Sequence, residues 1–194
     1  MHIAFPGCFN PPTYTHFAIA QYVAETFPGS KIIFIPVSDK YSKWRLSPVN
    51  HRLEMLKLIH NPNIIISDVE AHLTIQPKTI DTLNKINYPN LRLLIGSDNL
   101  LKLKTWSRYE ELITKYKPII VERGHDDARK MIDQNYPKYK NYFHVIRGII
   151  HSDDSSTFVR DNMKKGFDCK YYLPNEIIAY IKKHHLYEKN NKRD

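Results

Sequence analysis

The chain has 194 residues, 42% of them hydrophobic, and a formal net charge of +9. This is enough for one domain with its own core, expected over residues 1–194 with a C-terminal helical segment at about 170–188 and a basic tail at 189–194. No stretch reaches the roughly 20 apolar residues of a membrane span, no basic and apolar leader opens the chain, and Cys8 and Cys169 form no CxxC or Cys/His cluster, which argues against a membrane protein, a disulfide framework and a zinc site and for a cytoplasmic setting.

In chain order, Ile3-Ala4-Phe5 marks a strand at 2–6, and the turn Gly7-Cys8-Phe9-Asn10-Pro11-Pro12 leads into a helix at 14–27. A strand at 31–36 is followed by Lys40-Tyr41-Ser42-Lys43, where two lysines could reach a triphosphate tail or simply be solvated. Next come a helix at 49–60, a strand at 63–67 and a helix at 78–87. A strand at 91–95 runs into Gly96-Ser97-Asp98, with Trp106 opening a helix at 106–115. A strand at 117–122, with Pro118 tolerable only at its start or at a sheet edge, precedes a helix at 127–135. The last strand, at 142–147, leads to Ser155-Ser156-Thr157 and a helix at 155–164, and a final helix covers 174–185.

The Ile/Leu/Val runs of these strands are continuous rather than alternating, as in strands buried on both faces. Their βα order predicts an α/β fold: a Rossmann-like parallel sheet with helices on both faces. Ligands of such sheets sit beyond the C-terminal strand ends. The turns at 6–12, 96–98 and 155–157 all follow predicted strands, so they are expected on one edge.

Three constellations can carry chemistry there. In the first, Gly7 permits close approach of backbone to ligand, Pro11 and Pro12 stiffen the turn, and Thr13 is a candidate helix cap. His16 then lies in the first helical turn, beside N–H groups that suit a phosphate, and a phosphate favours its charged form. Spacing alone leaves a capped helix with an ordinary surface histidine equally open. In the second, Ser156, Thr157 and Arg160 share one helix face and converge on an anion, or else form a Ser/Thr cap beside a solvated arginine. In the third, Asp98 can accept from ribose hydroxyls and Trp106 can stack on a ring, or the two are a cap and a core-edge aromatic.

The positive charge is spread along the chain rather than gathered, which reads as solvated surface and argues against nucleic acid as the main partner. Neither GxxxxGK[ST] nor GxGxxG occurs, which argues against a Walker-type NTPase and a GxGxxG dehydrogenase. Cys8 reads as a small turn residue whose N–H matters more than its sulfur.

Together these segments resemble the nucleotidylyltransferase superfamily with (H/T)xGH and SSTxxR signatures, and within it the nicotinamide/nicotinate mononucleotide adenylyltransferases. Gly7-x-Phe9-Asn10-Pro11-x-Thr13-x-x-His16 is similar to the first motif, in the variant with Thr in place of the first His, and Ser155-Ser156-Thr157-x-x-Arg160 to the last. Between them, Pro36-Val37 through Lys43, Arg52-x-x-Met55-Leu56, Thr79-Ile80-Asp81-Thr82-Leu83 and Gly96-Ser97-Asp98 with Trp106 follow the family's order. Pro6, Cys8, Thr15 and Asp154 depart from its usual pattern.

The resemblance implies transfer of the adenylyl group of ATP to a pyridine mononucleotide, nicotinate or nicotinamide, with release of pyrophosphate. It implies His16, Thr13 and Arg160 as catalytic residues. It implies Gly7, Cys8, Phe9, Lys43, Gly96, Asp98, Ser155, Ser156 and Thr157 for ATP and its phosphates, and Thr82 and Trp106 for the mononucleotide. Mg²⁺ is expected to ride mainly on ATP, with no dedicated protein metal site. A homo-oligomer is compatible with this reading. The rivals are a relative with a phosphopantetheine or phosphorylated-alcohol acceptor, and a non-catalytic nucleotide or RNA binder.

Overall fold

Apolar runs without alternation need cover on both faces, and the fold supplies it. The computed structural model describes residues 1–41, 46–124, 126–148 and 156–188. Six strands, β1 (His2–Gly7), β2 (Lys31–Pro36), β3 (Ile64–Ile66), β4 (Leu91–Gly96), β5 (Ile119–Val121) and β6 (His144–Ile146), form one sheet in the order β3-β2-β1-β4-β5-β6. Every neighbouring pair is parallel. The sheet is therefore Rossmann-like, and the order reverses between β1 and β4, the place where such sheets open a crevice.

Successive side chains point to opposite faces, so one strand feeds two cores. Ala4, Ile33, Ile35, Leu93, Ile95 and Ile120 pack on one face, while Ile3, Phe5, Ile32, Phe34, Leu94 and Ile119 pack on the other. Full burial of the Ile, Leu and Phe side chains stabilises by about 1.5–3 kcal/mol each. The first face is covered by α3 (Thr79–Ile86), α4 (Tyr109–Tyr116) and α5 (Ala128–Asn135), through Ile80, Leu83, Leu112, Ile113 and Ile132. The second is covered by α1 (Tyr14–Thr26), through Ile19, Ala20, Val23 and Ala24, with Leu56 of α2 (Val49–Lys57).

A third core lies outside the sheet. Met55 of α2, Val159 of α6 (Ser156–Lys164) and Ile177, Ile178 and Ile181 of α7 (Asn175–Lys183) meet there with Cys169 and Leu173. This cluster fixes α6, and with it the last motif, against α2. β3, β5 and β6 are shorter than the sequence led us to expect, while β1 and β4 each run one residue further; β5 begins after Pro118, which has no N–H to give a ladder. Among the described residues no helix is long and apolar enough to cross a membrane.

Candidate active site

Because all six strands are parallel, the segments leaving β1, β2, β4 and β5 emerge on one edge. Thr13 caps α1 with extended backbone (φ −116°, ψ 166°). Its N–H donates to Nδ1 of His16 at 3.0 Å, and its hydroxyl oxygen lies 2.8 Å from the same nitrogen. A backbone N–H can only donate, so Nδ1 accepts and the ring proton sits on Nε2. Phe9 and Phe5 pack around the half-buried ring, with centroids 5.1 and 6.3 Å away. Burial, with the Arg123 charge as the second cause, lowers the His16 pKa to about 3. In this geometry His16 is a neutral Nε2–H donor. Protonating Nδ1 would set two hydrogens against each other at the Thr13 N–H.

The loop between β1 and α1 is held by its carbonyls. Arg52, fully buried in α2, donates from Nη1 to the carbonyl of Cys8 at 3.0 Å, from Nε to that of Ser47 at 2.8 Å and from Nη2 to that of Val37 at 2.8 Å. Asp39 accepts from Nη2 at 3.0 Å and from the N–H of Val49 at 2.7 Å. In a trans peptide the C=O and the following N–H point opposite ways. Arg52 therefore pulls the Cys8 carbonyl inward and turns the Phe9 N–H outward. Phe9 has a left-handed backbone (φ 46°), which costs roughly 1–2 kcal/mol for a non-glycine residue. Burial of its ring against Phe5, Phe34 and His16 offsets that cost. Gly7 is required beneath it: a Cβ there would stand 2.8 Å from Phe9 Cζ.

The last motif reaches the first directly. Arg160 donates from Nη1 to the carbonyl of Asn10 at 2.7 Å and from Nη2 to the Thr157 hydroxyl at 3.0 Å. The Ser156 hydroxyl donates to the carbonyl of Pro11 at 2.8 Å. Lys43 and Ser155 lie outside the described residues, as does Asp154.

At β4, Ser97 is fully buried. Its hydroxyl donates to Asp126 at 2.6 Å and accepts the N–H of Arg123 at 2.9 Å. Arg123 follows β5, and its Nη1 stands 3.9 Å from Asp98 with both side chains about half exposed. Gly96 lies under this pair; a Cβ there would collide with the Asp98 carboxylate and stand 3.1 Å from Arg123 Cδ. Sequence reasoning passed over Arg123. Its one signal was its place just after a strand, on the edge where the other turns converge. Arg52 carried a signal only through the family pattern, because a buried arginine and a solvated one look alike in sequence.

The two residues expected at the mononucleotide differ in placement. Trp106 is half-buried and packs against the core of the first face. Thr82 is 4% exposed, and its hydroxyl donates to Glu70 at 2.6 Å. Glu70 also accepts the N–H of Ser38 at 3.3 Å, and burial raises its carboxyl pKa against the opposing pull of these two hydrogen bonds. Thr82 is thus a brace between α3 and the segment after β3, with its hydroxyl proton committed to Glu70.

The cytidylyltransferase-like family matches residues 4–162. A Lachnoclostridium phytofermentans protein described as "Probable nicotinate-nucleotide adenylyltransferase" is 32% identical over 195 residues, covering 93% of this chain and 96% of that protein. An Acholeplasma laidlawii protein of the same description is 30% identical, covering 97% and 98%. Among solved structures, a Plasmodium falciparum nicotinic acid mononucleotide adenylyltransferase complexed with NaAD superposes with a TM-score of 0.80 at 26% identity, covering 96% of each chain.

Proposed function

The chain belongs to the cytidylyltransferase-like family, among its nicotinate-nucleotide adenylyltransferases, and we propose that it joins ATP and nicotinate mononucleotide into the nicotinate dinucleotide with release of pyrophosphate. One observation carries this reading at the level of the site. Arg160 and Ser156 donate to the carbonyls of Asn10 and Pro11, so the two motifs flank one loop with His16 at its end.

A 5′-phosphate oxygen of the mononucleotide attacks the α-phosphorus of ATP in line. A new P–O bond forms there as the bond from the α-phosphorus to the bridging oxygen breaks, and pyrophosphate leaves with that electron pair. The nucleophile is already an anion, so positioning and charge stabilisation carry the rate. In this proposal His16 donates from Nε2–H to the α- and β-phosphates, and the Phe9 N–H, turned outward by Arg52, adds a second donor. Thr13 sets the His16 tautomer. Arg160, on the Asn10 carbonyl, and Arg123, whose charge acts on His16, are the cations assigned to the departing pyrophosphate, with Thr157 beside Arg160. Gly96 and Asp98 take a ribose, and the exposed side of Trp106 takes the pyridine ring. Mg²⁺ is assigned to the ATP phosphates and their waters, which suits an ion that keeps most of its own water.

The test is incubation with ATP, Mg²⁺ and either nicotinate or nicotinamide mononucleotide, with pyrophosphate and dinucleotide both measured. The expected result is equal amounts of both products, formed faster from the nicotinate substrate. No dinucleotide from either acceptor would reject the proposal, and preference for nicotinamide mononucleotide would reassign the acceptor.

A further inference from the structure

Asn10 is 1% exposed and sits where three parts of the chain meet. Its side-chain Oδ1 accepts the Ser47 N–H at 3.1 Å, the Ser47 hydroxyl at 2.6 Å and the Tyr187 hydroxyl at 2.7 Å. The Ser47 N–H is an obligate donor and fixes which end of the amide faces this cluster. The hydroxyls of Ser47 and Tyr187 are themselves 2.9 Å apart. The backbone carbonyl of Asn10 is the acceptor of Arg160.

The next two residues are Pro11 and Pro12, which have no N–H. This part of the loop cannot anchor itself through its own backbone donors, so it depends on side chains brought from elsewhere. Tyr187 is the most distant of these, 177 residues along the chain from Asn10. It lies beyond α7 with a left-handed backbone (φ 63°) and packs against the third core. Burial pushes its phenol pKa up to about 12, so it remains a neutral donor through the physiological range.

We propose that Tyr187 is a positioning residue for adenylyl transfer: its hydroxyl holds the Asn10 side chain, and the Asn10 peptide in turn holds Arg160 in place. The inference rests on the adenylyl-transfer reading. The C-terminal segment is then part of the machinery that shapes the loop, although Tyr187 touches no reacting atom. Tyr187→Phe keeps the ring and its packing and removes the hydrogen bond to Asn10 together with the 2.9 Å contact to the Ser47 hydroxyl. For a neutral pair, such a loss corresponds to roughly a five- to tenfold change.

The expected result for Tyr187→Phe is kcat lower by about that factor, with KM for the mononucleotide little changed. Hydrogen exchange at the Cys8, Asn10 and Thr13 amides and at those of α6 should quicken, while α7 and β2 keep their protection. Wild-type kcat in the folded variant overturns the proposal, even if its melting temperature falls. Unchanged exchange in the loop, or exchange that rises evenly across the protein, overturns it independently of turnover. A wild-type protein that makes no dinucleotide would instead reject the activity itself, and the exchange result would still decide whether Tyr187 orders the loop.

Discussion

Thr13 and His16 are joined by a 3.0 Å hydrogen bond from backbone N–H to Nδ1, so the helix cap also selects the imidazole tautomer. The catalytic histidine of this proposal is set by its own first turn of helix. His16→Ala should lower kcat by about 10²–10³, the usual cost of one preorganised donor. Circular dichroism should remain that of a folded protein. Near-normal turnover in the folded variant would remove His16 from the mechanism.

The same contact sets a pH dependence. The folded pKa of His16, about 3, lies below its ordinary value of 6.5. Between those values the unfolded chain binds more protons than the native one, so stability rises with pH. This contribution is complete above pH 6.5 and is lost as pH falls towards 3. Melting curves should show this slope in the wild type and lose part of it in His16→Ala. The pH profile of kcat/KM for the free enzyme should show no His16 ionisation between pH 5 and 8.

Glu70 contributes the opposite slope. Its carboxyl pKa is raised above 4.5 by burial, so above that pH the native state holds its proton more tightly than the unfolded one. The contribution is present below 4.5 and is lost as pH rises through the raised value. Glu70→Gln should remove it, seen as a melting temperature that rises relative to wild type as pH increases.

Arg123 and Arg52 should separate function from stability. Arg123 is half exposed and its pairing with Asp98 is loose, so Arg123→Ala should leave the melting temperature within a few degrees while lowering kcat/KM about tenfold or more. Arg52→Met leaves the carbonyls of Cys8, Val37 and Ser47 without their donor, and should cost about 3–5 kcal/mol in urea unfolding.

Gly96→Ala tests the crossing of Asp98 and Arg123 over β4. The added methyl must displace one of the two side chains, so activity should fall about tenfold with secondary structure retained. A fully active Gly96→Ala protein would show that this pair has no part in the site.

The sequence by itself determined what depends on local order. The continuous apolar runs placed all six strands and implied a sheet buried on both faces, and the βα alternation implied parallel pairing. The spacing from Thr13 to His16 is one helical turn, so Thr13 could be read as a candidate cap with His16 in its first turn, while spacing alone left an ordinary surface histidine equally open. Tertiary structure decided what depends on distance between elements. Arg160 meets Asn10 across 150 residues, Arg52 ties the β1–α1 loop to both ends of the β2–α2 connection, Arg123 comes to face Asp98, and Thr82 turns its hydroxyl to Glu70. These contacts follow from strand order and from side chains reaching across loops, and neither leaves a periodic trace in the chain. An arginine that is buried and satisfied by carbonyls has the same letter as one in water, and only the packed fold gives each its different free energy.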